Sequence, residues 1–175
     1  MLGSFLTQEY RLWLLMVQTR DTIWAVRNRE LAEYDLSNIE AAVLFIIQAI
    51  EFLKGKSAII SEISQWLFRK PHSVSELLSR MEKKGLVIRT KDTDKKSRVR
   101  ITATEKGRHA YALITENATT VYQIMSILSE EEKMQLWNCL SKLREKALKE
   151  YGGKKGSPYF DIFPISTEAG AGSPK

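Results

Sequence analysis

The chain is poor in the residues that staple, ligate or catalyse. A single cysteine, Cys139, in 175 residues rules out an intramolecular disulfide and any cysteine-built zinc cluster, and it suits the cytoplasm, where the chain is expected to reside. Cys139 falls on the edge of an apolar helical stripe, so a buried structural thiol is expected rather than a redox sensor. The two histidines, His72 and His109, lie far apart with no carboxylate and nucleophile set around them. No GxSxG, HExxH or GxGxxG occurs, and the GGKKGS run at 152–157 lacks the glycine spacing, preceding strand and following helix of a phosphate loop. No catalytic residue, metal site or cofactor is therefore expected, and enzymatic activity is not. Long apolar runs are missing too. The greasiest segment, AAVLFIIQAI at 41–50, stops well short of the roughly 18 residues a membrane span needs. The first twenty residues have neither a basic leading region nor a small-residue cleavage site, so they read as mature sequence.

What is present centres on residues 71–107. Val74, Leu77, Leu78 and Met81 recur at the spacing of an amphipathic helix, with His72, Ser73, Ser75, Glu76, Ser79 and Arg80 on its other faces. Pro71 suits the first helical turn, where its missing N–H is no loss, and Gly85 suits the left-handed residue that follows a helix. Two β-rich runs come next, LVIRT (86–90) and SRVRIT (97–102), joined by a loop carrying Lys95 and Lys96 at its tip. Between Arg69 and Arg108 there are 13 Lys and Arg against 5 Asp and Glu, a net +8 where the whole chain carries +6, so the basicity is concentrated here. A helix with short polar side chains enters a major groove about 12 Å wide, and a cationic hairpin beside it lies along the phosphates. Duplex DNA is the simplest partner. Arg69, Lys70 and Arg80 are the expected phosphate anchors, with Lys95, Lys96 and Arg98 on the hairpin, while His72, Ser73, Ser75 and Ser79 are expected to meet base edges and phosphates. Asp92 and Asp94 are expected to pin the hairpin as exposed ion pairs, since no further ligand stands at metal spacing.

The order LSNIEAAVL (36–44), SEISQWL (61–67), SVSELLSRMEKKGLVIR (73–89), the Asp-rich and basic loop (92–96) and TATEKG (102–107) resembles the MarR family of winged helix-turn-helix regulators, over roughly residues 10–150. One departure stands out: the family's wing usually reads Asp-Arg-Arg, whereas Asp94 is followed by Lys95 and Lys96, which removes a bidentate arginine and leaves Arg98 as the expected substitute. The resemblance implies a homodimer on a pseudo-palindromic operator, a repressor relieved by a lipophilic or phenolic effector, and an effector pocket between winged core and dimer helices. Trp13, Trp24, Ile46, Ile50, Tyr111 and Ile114 are the candidates for that pocket. Tryptophans at helical spacing are more often core, and that reading stays open beside it.

The remaining segments fit a mostly α fold with a small β wing. Residues 7–33 read as a helix so rich in large apolar groups that it needs a partner. Ser37 with Glu40 opens a second helix closed by Gly55, and residues 58–68 read as a short helix followed by a turn at Phe68, Arg69 and Lys70. One long helix is expected to start at Thr104, or at Thr102 with Glu105 as its capping box, and to reach about Leu128, with a seam at Ile114, Ala118, Val121, Met125 and Leu128, then another opened by Ser129 and Glu132. The expected division is a helical dimerisation domain from 7–35 and 104–150, a winged helix-turn-helix domain at 36–103, and a disordered or loosely docked tail at 152–175. An effector-independent DNA-binding protein, architectural or activating, or a winged-helix protein-interaction module using the apolar PYFDIFPI island at 158–165, remain as alternatives.

Overall fold

The computed structural model describes residues 7–92 and 98–151. The loop residues Asp94, Lys95 and Lys96 and the tail from 152 onward lie outside the described residues. The chain opens with α1 (Gln8–Ala32), capped by the Thr7 hydroxyl, which accepts the Tyr10 N–H at 3.3 Å. A turn through Asp35 leads to α2 (Asn38–Lys54). Ser37 and Glu40 satisfy each other's backbone N–H groups, and Gly55 ends the helix at φ 59°. Val43, Leu44, Ile46, Ile47, Ala49 and Ile50 bury most of the circumference of α2, so this helix is the axle of the fold, touching α1, α3, α5, β1 and β3.

Residues Ala58–Ile59 form a two-residue strand, β1, and the helix expected from residue 58 begins only at α3 (Ile60–Leu67). The Glu62 carboxylate accepts the Ile59 N–H at 3.1 Å and fixes that start. Then come α4 (Pro71–Lys83), β2 (Val87–Lys91) and β3 (Val99–Ala103). The sheet is antiparallel in the order β1-β3-β2, with Ala58 opposite Ile101, and Val87, Arg89 and Lys91 opposite Ala103, Ile101 and Val99. Thr104 then caps α5 (Glu105–Glu116): its hydroxyl accepts the Gly107 N–H at 3.0 Å and donates to the Gly85 carbonyl at 2.6 Å, tying α5 to the chain leaving α4.

The expected helix from 104 to 128 is two helices. It stops at Asn117, and α6 (Thr119–Met125) starts afresh, so the proposed seam is broken at Ala118 and Ile114 belongs to the interior of the winged part instead. The cause is a contact from α1. At the break the Ile114 carbonyl has no helical partner and Ala118 has no side-chain oxygen to cap α6. Arg27 donates to the Ile114 carbonyl at 2.8 Å, while Glu30, ion-paired with Arg27, accepts the Thr120 N–H at 3.4 Å. One pair of side chains thus serves an orphan on each side of the gap. Burial works to raise the Glu30 pKa, but the hydrogen bond and charge of Arg27 and the Thr120 N–H outweigh it and hold the carboxyl below its ordinary value.

The last helix, α7 (Glu130–Glu150), opens with the expected reciprocal cap between Ser129 and Glu132. The core comprises Leu31, Val43, Leu44, Ile47, Ile50, Ile63, Val74, Leu78, Met81, Val87, Ile101 and Ile114, all fully buried, each worth roughly 1.5–3 kcal/mol of burial if apolar area is the measure. Neither α6 nor α7 contributes a buried residue, and α1 contributes only Leu31. Consequently Cys139, expected to be buried, is exposed, because the stripe of α7 on whose edge it lies is itself uncovered.

Candidate nucleic-acid interface

Phe68 sits in the left-handed region at φ 52°, which reverses the chain between α3 and α4. The turn is closed by Phe68 N–H to the Gln65 carbonyl at 3.3 Å and Arg69 N–H to the Ser64 carbonyl at 3.1 Å. Lys70 is the extended N-cap and Pro71 occupies the first turn of α4. Val74, Leu77, Leu78 and Met81 are buried, which fixes the rotation of α4 about its axis. What remains divides into two stripes.

The first stripe is open. His72, Ser73, Glu76, Arg80 and Lys83 are exposed, with Arg69 and Lys70 exposed at the amino end. His72 Nε2 lies 3.3 Å from Glu76 Oε1, so that face offers both donors and a carboxylate acceptor. The second stripe, Ser75, Ser79 and Glu82, turns toward β2 instead. The Arg89 guanidinium donates to the Ser79 hydroxyl at 2.7 Å and to the Ser75 hydroxyl at 3.2 Å, and the Arg89 backbone N–H donates to Glu82 at 3.3 Å. Ser79 also donates to the Ser75 carbonyl at 3.0 Å, so its proton and a lone pair are both engaged inside the protein. Of the five α4 residues expected to meet DNA, the structure places His72, Ser73 and Arg80 on the open face and Ser75 and Ser79 against the strand.

The hairpin is anchored at its base. Arg100 reaches Asp92 Oδ2 with Nε at 2.9 Å and Nη2 at 2.8 Å, and its third nitrogen donates to the Ser57 carbonyl at 3.1 Å. Asp92 therefore pairs with an arginine as expected, yet it is buried where an exposed pair was expected. The Asp92 N–H donates to the Arg98 carbonyl at 2.9 Å, leaving the side chains of Lys91 and Arg98 exposed at the foot of the loop. Arg69, Lys70, Arg80, Lys83, Lys91 and Arg98 are thus the described cations that face outward from the helix-turn-helix and hairpin.

Sequence reasoning missed Arg89 and Arg100 as parts of this surface. A signal for Arg89 existed: it alternates with Val87 and lies opposite Ile101, so a charged side chain occupies the inward face of a strand. Nothing comparable marks Arg100, whose partners come from 8 and 43 residues away.

The six residues considered for an effector pocket separate. Ile46, Ile50 and Ile114 are interior, and Tyr111 packs on Phe45 with ring centres 6.2 Å apart. Trp24 is 40% exposed beneath the Arg20 guanidinium, and Trp13 is 51% exposed. Trp13 lines a cleft of about 600 Å³ between α1 and α7 with Leu12, Met16, Leu140, Leu143 and Ala147, and Glu9 and Arg144 also border it.

Comparison with known proteins agrees with this geometry. Residues 36–107 match the model of the winged helix DNA-binding domain. The regulator SarZ of Staphylococcus aureus is 28% identical over 153 residues, covering 87% of this chain and 97% of SarZ. The organohalide-sensing transcriptional regulator RdhR, crystallised with 2,4-dichlorophenol, is 34% identical, with a TM-score of 0.74 over 83% of this chain and 85% of RdhR. A mutant of MarR from E. coli, solved with operator DNA, shares the fold with a TM-score of 0.69 at 18% identity, over 76% of this chain and 93% of that one. With its fold, its element order and its match to RdhR over most of both chains, the chain belongs to the MarR family of winged helix-turn-helix transcriptional regulators.

Proposed function

We propose that this regulator acts as a homodimer on a pseudo-palindromic operator, as a repressor released by a small lipophilic or phenolic effector, and works in the cytoplasm. The observation that carries the reading is that the chain exposes two distinct surfaces, one cationic and one apolar. One exposed surface is the open stripe of α4 flanked by outward cations; a second, separate one is the apolar set Leu12, Leu15, Met16, Leu136, Leu140 and Leu143 of α1 and α7. Such an apolar surface on a single chain is unfavourable in water and fits a second copy laid against it. On this reading residues 7–35 and 104–150 form the dimer and 36–103 read DNA, with α4 in the major groove. Arg69, Lys70, Arg80 and Arg98, together with Lys95 and Lys96, neutralise phosphates, while His72 and Ser73 approach base edges. A dimer that holds two α4 helices about 34–36 Å apart engages successive major grooves.

The effector reading draws support from RdhR, whose crystallised ligand is a chlorinated phenol. Trp13, Trp24 and Tyr111 keep accessible ring surface for such a ligand. It need favour the wrong helix spacing by only a few kcal/mol to release DNA. Selection of bound duplexes from a random pool by the purified protein, with its mass measured by light scattering, tests the reading. A symmetric site with half-sites one turn apart, bound by two chains, is expected. A monomer indifferent to duplex at low ionic strength would overturn it.

A further inference from the structure

We infer that Arg89 is a positioning residue for operator reading: it locks the angle between α4 and the hairpin, and thereby sets sequence discrimination rather than overall affinity. The inference rests on the DNA-reading role of α4 proposed above. Three side chains from one stripe of α4, spaced by four and three residues, converge on this single residue of β2: Ser75 and Ser79 accept from its guanidinium, and Glu82 accepts from its backbone. Because the sheet order is β1-β3-β2, β2 has strand pairing on one side only, and the Arg89 N–H goes to Glu82 rather than into the sheet.

The strand held in this way runs straight into the basic loop, and the helix that holds it runs along the groove. Reading a base sequence requires both to be in register at once, since phosphate contacts fix where the helix lies and base contacts report what it meets. A guanidinium suits the role because its planar fork reaches two hydroxyls together, whereas an ammonium is a point charge on a flexible stem. Ser79 has its hydroxyl proton on the Ser75 carbonyl and accepts from Arg89, which makes it part of the clamp and not a base reader.

Three variants of the full chain decide the matter: Arg89→Lys, Arg89→Ala, and Ser75→Ala with Ser79→Ala, the last a pair of helix-favouring changes that leave every charge in place. Each is measured against the selected operator and a scrambled duplex over a salt series. Arg89→Lys and the serine pair are each expected to lower the operator-to-scrambled ratio about tenfold, the order of one charged hydrogen bond withdrawn from the aligned state. Scrambled-duplex affinity and salt slope should stay at wild-type values, and combining the changes should add nothing further. Additive losses would mean that the serines read bases themselves. A salt slope lowered by about one in Arg89→Ala, with affinity restored in Arg89→Lys, would make Arg89 a phosphate anchor; either result overturns the inference. Hydrogen exchange on the free proteins decides the clamp without DNA: faster opening of the α4 amides in Arg89→Lys is expected, and unchanged protection overturns the clamp. A wild-type chain that selects no site sinks the regulator reading, while the exchange result still stands or falls by itself.

Discussion

The Arg27–Glu30 pair should be among the most sensitive surface-adjacent positions in the chain. Its two side chains are 16% and 13% exposed, they are ion-paired, and between them they serve the Ile114 carbonyl and the Thr120 N–H across the gap between α5 and α6. Arg27→Ala removes the counter-charge and the donor together. Breaking a fully buried pair costs about 3–5 kcal/mol, and the residual water access here brings that to about 2 kcal/mol. The orphaned carbonyl adds about 1 kcal/mol, for a total of about 3 kcal/mol. In a chain of this length that lowers Tm by roughly 6–12 °C. Arg27→Met combined with Glu30→Leu leaves no charge behind but orphans both the Ile114 carbonyl and the Thr120 N–H, and should lose about 2 kcal/mol, so the cycle is strongly non-additive. Urea denaturation at fixed protein concentration measures both, the fixed concentration being essential if folding and association are linked. The pH dependence has a definite sign. Because the folded Glu30 carboxyl titrates below its ordinary value of 4.5, the stabilisation is complete above that pH and is lost as pH falls through the lower folded value. An Arg27→Ala protein within 0.5 kcal/mol of wild type, or equal losses in the single and paired variants, would refute the reasoning.

Three other perturbations follow from the same geometry. A methyl group added at Gly107 would lie 2.1 Å from the Leu86 carbonyl oxygen, which the Thr104 N–H already holds at 3.1 Å, so Gly107→Ala should destabilise by about 3 kcal/mol in denaturant titration. Arg69→Ala with Arg80→Ala should weaken binding to all duplexes alike and reduce the salt slope by about two; a sequence-dependent loss with an unchanged slope would count against phosphate contact. Leu143→Glu, at a residue 51% exposed in the single chain, should leave the fold within about 0.5 kcal/mol of wild type yet raise the dimer dissociation constant at least roughly tenfold by sedimentation.

The parts of the fold that sequence made legible are those whose signals are local. The reciprocal caps at Ser37 and Ser129, Pro71 at the start of α4, the left-handed Gly55 and Gly85, and the buried face Val74, Leu77, Leu78 and Met81 each depend on residues within two turns of one another. What escaped was decided at long range. β1 is two residues long, too short to show a period, and exists because Ala58 and Ile59 meet Ile101 and Arg100. The break after Asn117 falls in a stretch of apolar periodicity and is set by side chains 87 and 90 residues away in sequence. At the candidate interface the polar character of α4 was visible, but polarity does not say which stripe faces out. Ser75 and Ser79 have the composition of a solvated face, and only the arginine across from them, 14 and 10 residues on, shows that they look inward.

The one-sided pairing of β2 bears on solubility as well as on reading. An unpaired strand margin invites a neighbouring molecule to add a strand, and the risk grows where many copies crowd along one duplex. Here a glutamate from the adjoining helix occupies the Arg89 amide, and Arg89 and Lys91 bring positive charge to the strand. The margin of β2 therefore resists the edge-to-edge polymerisation that a bare hairpin of the same length would favour.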